Sequence, residues 1–217
     1  MSPARRFASL VWKAAIVCLG TYGLVMKSNL LSPAPSPIFF HYFTNISNLA
    51  VVLYFAGAVI SMLRGSSRQP LPFLKQMLTL GIVVTLVVVQ VLLDGVKLVD
   101  GQLDVPLFFE HQLVPIMTVL DWVLFDEKGL IDVRSPLIWP IYPLGYLAVV
   151  GTLVGAFGMR IGAGEGGPFP YRFLDVDRLG MGQVAVTVVA LVAFFVALGY
   201  AWYALDHWLG RRGGKTS

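Results

Sequence analysis

The chain has 217 residues, 57% of them hydrophobic and only 13% charged, with a formal net charge of +4 and a mean hydropathy of +0.75. Soluble domains carry about 25% charge, so the composition excludes an ordinary water-soluble domain and makes lipid the solvent. No basic stripe interleaves with aromatics, so the positive balance suits anionic lipid headgroups and not nucleic acid.

Apolar runs cover residues 7–25, 38–63, 78–99, 105–125, 137–157 and 181–209. A bilayer crossing takes about 20 residues at roughly 1.5 Å rise each. Every run qualifies, and a seventh does not fit. The expected fold is all-α: residues 1–217 form a single polytopic domain, a bundle of six transmembrane helices in the membrane bilayer.

Arg5 and Arg6 precede the first run as they would in a signal peptide. Lys13 interrupts the run and no small-residue cleavage site follows, so this is read as a retained first helix. Cys18 follows Val17, where a lipoprotein cleavage site needs a small residue. A lone cysteine excludes an intrachain disulfide and a thiolate metal cluster, leaving Cys18 as a small buried packing residue. Neither a metal nor a cofactor is expected. Lys13, and His207 in the last run, are placed to snorkel from the helix ends.

The second run opens His41-Tyr42-Phe43-Thr44-Asn45-Ile46-Ser47-Asn48. At 3.6 residues per turn His41, Thr44, Ser47 or Asn48, Val51 and Phe55 share one side, which must turn away from lipid. Asn45-Ile46-Ser47 matches a glycosylation sequon but lies inside the span, out of reach of a transferase. The loop 66–75 is basic, with Pro70 and Pro72, whereas segment 95–104 is acidic. In the fourth run His111 is followed on the same side by Pro115, Thr118 and Trp122, with Asp121 roughly 80° away. Glu110 points about 100° from His111, and Glu110, Asp100 and Asp104 read as a solvated acidic rim. The connection 160–180 reads as a glycine hinge leading into an aromatic-proline cap. Asp175 and Asp177 suit a helix cap or a pairing with Arg172 or Arg178 better than a divalent-ion site. Residues 181–209 contain no lysine for a Schiff base, which removes a retinal photoreceptor.

With the N-terminus inside, eleven Lys and Arg flank the inner helix ends: residues 5, 6, 13, 64, 68, 75, 128, 134, 211, 212 and 215. Five flank the outer ends: residues 27, 97, 160, 172 and 178. The positive-inside rule therefore places both termini in the cytoplasm.

On these boundaries Thr44 and His111 each lie about six residues from an outer helix end, roughly 9 Å deep. A threonine hydroxyl becomes a competent nucleophile when a base takes its proton during attack, and histidine is the usual base. Asn45 or Asn48 can donate to a developing oxyanion. His41, one turn before Thr44, competes with His111 as base but reads better as an interfacial residue. No triad carboxylate stands out; Asp94 is the remaining candidate. The bland alternative is that Thr and Asn serve interhelical packing and hydrogen bonding.

Four motifs then carry a resemblance: Phe43-Thr44-Asn45-Ile46-Ser47-Asn48-Leu49, His111-Gln112-Leu113-Val114-Pro115, Trp139-Pro140-Ile141-Tyr142-Pro143-Leu144-Gly145-Tyr146, and Pro170-Tyr171-Arg172-Phe173-Leu174-Asp175. In this order they resemble bacterial six-helix proteins related to the animal androgen-induced and androgen-dependent membrane proteins. Those relatives are threonine hydrolases of fatty acid esters of hydroxy fatty acids. The resemblance implies Thr44 as acyl-accepting nucleophile, His111 as its partner, and a substrate-lining role for Trp139, Tyr142 and Tyr146. It also implies a bacterial cell membrane location. Phe169 and Arg172 depart from the family pattern, standing where it has a tyrosine and a proline.

The expected function is an intramembrane lipid esterase acting on a lipid ester substrate. The alternative is a non-catalytic lipid-binding or transport protein. A transporter usually shows paired broken helices and internal repeats, and this sequence has no repeat at a fixed period.

Overall fold

The computed structural model describes residues 2–34, 36–66, 69–92, 98–99, 102–162 and 167–213; Asp94, Lys97, Asp100 and residues 163–166 of the hinge lie outside them. The architecture is all-α and polytopic. Six helices are long and apolar enough to cross a membrane, and their exposed faces carry residues such as Leu53, Val91, Val149 and Val189. The chain is an integral membrane protein. It divides into two compact units, Met1–Glu127 and Lys128–Ser217.

The first unit holds four helices: α1 (Pro3–Ser28), α2 (Phe43–Leu63), α3 (Pro72–Leu92) and α4 (Val105–Phe125). α1 packs on α2 and α4, and α3 packs on the same two, which closes a ring. Arg5 donates to Leu124 O at 2.8 Å and Arg6 to Met62 O at 2.7 Å. Two guanidinium groups at the start of α1 thus meet carbonyls in the last turns of α4 and α2, where the helix dipoles favour positive charge. The helices therefore alternate in direction.

Glycine sets the spacing of α1 from its neighbours. A Cβ on Gly20 would lie 2.5 Å from a Val52 methyl, and one on Gly23 would lie 3.0 Å from Glu110 Cγ. Cys18 is exposed on the outer face of α1, not buried as expected, because the inward stripe is taken by Ser9, Lys13, Ile16, Gly20 and Gly23.

Two boundaries differ from those drawn on hydropathy. A 3-10 turn, Pro37–His41, replaces the expected first turn of α2, which begins at Phe43. α3 starts at Pro72, six residues before the apolar run, because Lys75 and Gln76 are buried inside the unit and lengthen the helix. A hydropathy window discounts both residues, whereas their neutralised or hydrogen-bonded forms are tolerated in the interior.

The second unit holds α5, Ser135–Gly155, with a turn at Trp139 and Pro140, and α6, Val176–Gly213, kinked at Gly180 where φ is +78°. Asp175 accepts from Arg178 N–H at 3.2 Å and so caps α6, the role expected of it. On α6, Asp206 accepts from Ile131 N–H at 3.1 Å while His207 Nε2 donates to Ile131 O at 3.0 Å. His207 is thus a structural clamp and not a snorkelling residue. Connection 156–175 is closed by Ile161 N–H to Pro168 O at 3.0 Å and Gly162 N–H to Gly167 O at 3.1 Å. Tyr171 and Phe173 stack within it, ring centroids 5.1 Å apart.

Candidate functional site

The inward side of α2 is as the periodicity implies: Thr44, Asn45, Ser47, Asn48, Val51 and Phe55 are all buried. Thr44 is the second residue of α2, not about six residues in, so matching depths counted from the predicted boundaries do not hold. A direct contact replaces that argument. The Asn48 carboxamide nitrogen donates to Thr44 O and to Glu110 O, both at 3.0 Å. One fully buried side chain therefore ties the turn that carries Thr44 to the residue preceding His111.

This use of Asn48 changes its assignment. Both of its N–H bonds are spent on carbonyls, so it is not an oxyanion donor in this state. Asn45 donates one N–H to Phe39 O at 2.7 Å and keeps a second, which makes it the better of the two candidates. His41 sits in the 3-10 turn ahead of α2, partly exposed.

His111 lies within a π-helical turn, Phe109–Leu113, where Val114 N–H reaches five residues back to Phe109 O. Pro115 explains the wider turn: it has no N–H, and its ring would press on the carbonyl of His111, four residues earlier. Such turns recur at functional sites. His111 Nδ1 is 3.1 Å from Leu107 O. A carbonyl only accepts, so Nδ1 carries the proton and the neutral ring presents Nε2 as a lone pair. Here a backbone carbonyl fixes the tautomer, the task a carboxylate has in Ser-His-Asp triads.

Glu110 is not part of a solvated rim. It is 1% exposed, packed against Gly23 of α1, and its Oε1 has no hydrogen-bond partner. Asn48 Oδ1 is likewise buried without one. Two acceptors lacking donors beside Thr44 and His111 are a cost that packing alone does not require. The widened turn rotates Glu110 inward, an effect invisible to a count at 3.6 residues per turn.

Asp104 is part-exposed, as a rim residue would be, but it also has defined partners. It caps α4 by accepting from Leu107 N–H at 3.0 Å and pairs with Lys27 at 2.8 Å. Partial burial pushes its carboxyl up, but hydrogen bonds from Lys27 and Leu107, with the charges of Lys27 and His111, outweigh this and hold it below the ordinary 3.8. A carboxyl lowered on folding stabilises the fold above its unfolded value, and the contribution fades as pH falls through the lower folded value. Thermal midpoints of wild type and Asp104→Asn are therefore expected to differ near neutrality and to converge in acid below about 3.8. The gap corresponds to no more than about 1 kcal/mol for so exposed a pair.

A second polar constellation escaped the sequence reading. Lys13 does not snorkel: it is buried, donating to Asp121 at 2.7 Å and Ser9 at 2.9 Å. Lys75 of α3 meets the other Asp121 oxygen at 2.5 Å and Asp126 at 2.6 Å. Gln69 completes Asp126 at 3.2 Å, and both ammonium groups lie over the Phe55 ring, 6.0 and 5.6 Å from its centroid. Two cations and two anions from α1, α3 and the end of α4 thus neutralise one another in the interior. The usable signal was Lys13 and Asp121, each inside an apolar run. Among the described residues, no three His, Cys, Asp or Glu side chains converge to hold a metal ion.

Trp139 and Tyr146 are buried in the second unit, where Tyr142 is partly exposed. Compared with protein-family models, curated proteins and solved structures, the chain matches none.

Proposed function

We propose that this protein is an intramembrane lipid esterase with Thr44 as nucleophile and His111 as general base. The observation that carries the reading is the Asn48 bridge, which joins the Thr44 turn to the backbone beside His111. The His111 tautomer supports it by leaving Nε2 bare.

Thr44 Oγ1 adds to the ester carbonyl as its proton passes to His111 Nε2. The tetrahedral oxyanion takes the spare N–H of Asn45. Its collapse breaks the ester C–O bond, and His111 returns the proton to the leaving alcohol. A water then gives its proton to His111 and attacks acyl-Thr44, releasing the acid and restoring the hydroxyl. Ester and water become acid and alcohol, with no other reactant needed.

The motif resemblance adds fatty acid esters of hydroxy fatty acids as a substrate class. It also supports a bacterial cell membrane as the location, and the Lys and Arg balance supports two cytoplasmic termini.

The test uses purified protein in lipid nanodiscs, long-chain esters and a fluorophosphonate probe. Wild type is expected to hydrolyse the ester and to be labelled at Thr44, and Thr44→Ala to do neither. Equal turnover by Thr44→Ala, or an unlabelled wild type, overturns the assignment.

A further inference from the structure

The Lys27–Asp104 pair is joined to His111 by a direct contact at every step. Lys27, in the last turn of α1, reaches one Asp104 oxygen at 2.8 Å, while the other accepts from Leu107 N–H at 3.0 Å. The carbonyl of the same residue, Leu107, receives His111 Nδ1–H at 3.1 Å. The first turn of α4 is thus pinned from α1, and the residue that Asp104 caps is the one that fixes the imidazole.

We propose that Lys27 and Asp104 are positioning residues for His111: they hold the Leu107 peptide so that the ring keeps its proton on Nδ1 and presents a bare Nε2. The pair also places one charge of each sign within electrostatic reach of the ring. Among the described residues, the other titratable groups at this turn include Glu110 on the turn itself and Tyr22 of α1, whose ring centroid lies 5.6 Å from that of Phe109. α2 carries no Asp, Glu, Lys, Arg or His, and α3 carries none beyond Lys75. Removing one member of the pair therefore leaves the other charge facing the imidazole uncompensated, and the two removals act with opposite sign.

The consequence for catalysis rests on the esterase reading, but the ring chemistry does not, so the decisive measurement is made on the ring. The protein carries three histidines. With ¹⁵N-labelled histidine in nanodiscs, His111→Gln identifies the His111 signals by their loss. Wild type near neutral pH is expected to show a protonated Nδ1 and an unprotonated Nε2. Lys27→Met leaves Asp104 alone and is expected to move the His111 titration midpoint to higher pH. Asp104→Asn, which retains an N-capping side chain, leaves Lys27 alone and is expected to move it to lower pH. Lys27→Met with Asp104→Asn should return it toward wild type. If the enzyme is active, the acid limb of its pH–rate profile moves in the same directions.

Shifts of the same sign, no shift, or an Nε2–H tautomer in wild type would overturn the proposal. A pair with a merely structural role does not produce opposite movements. Should the protein prove inactive on every ester, the nitrogen titrations still decide the matter.

Discussion

Asp121→Ala is expected to destabilise the first unit by about 3–5 kcal/mol, the range for stripping one partner from a buried ion pair. Asp121 is fully buried and meets both Lys13 at 2.7 Å and Lys75 at 2.5 Å. Its removal leaves Lys13, among the described residues, with the Ser9 hydroxyl as its hydrogen-bonding partner, while Lys75 keeps Asp126. Lys13→Met with Asp121→Leu should recover much of the loss, since replacing charges by packed apolar groups of similar volume is often close to neutral. Thermal unfolding in bicelles, followed by helical circular dichroism, reads both. If Asp121→Ala unfolds like wild type, the network is a surface feature and the burial described above is wrong.

The second large effect is on catalysis. His111→Ala is expected to lower kcat on a long-chain ester by about 10²–10⁴-fold, the usual contribution of a positioned acid–base group. Melting should change much less, because the ring's hydrogen bond is to Leu107 O of its own helix. His41→Ala, by contrast, should retain most of the activity. A reversal of the two results would transfer the base to His41.

How far the sequence disclosed this protein depends on which force decided each feature. Lipid solvation decided the six spans, and it is written in composition, so their number and order were readable. Helical periodicity decided which side of α2 is inward, and Thr44, Asn48, Val51 and Phe55 followed from spacing alone. Tertiary pairing decided the rest. Lys75 lengthens α3 because Asp121 and Asp126 neutralise it, and no local rule reveals partners 46 and 51 residues away. Glu110 turns inward because Pro115 widens the preceding turn, which breaks the 3.6-residue count that placed Glu110 outside. Cys18 was assigned by its type, but the inward stripe of α1 belongs to other residues.

The crossed ion pairs bear on how the chain enters the membrane. α4 is the least apolar of the six helices, and a lone carboxylate in hydrocarbon is penalised by several kcal/mol. The ammonium groups that relieve Asp121 arrive on α1 and α3, both synthesised earlier. The fourth helix is therefore expected to insert more readily when the first three are present to receive Asp121 than when it is alone in lipid.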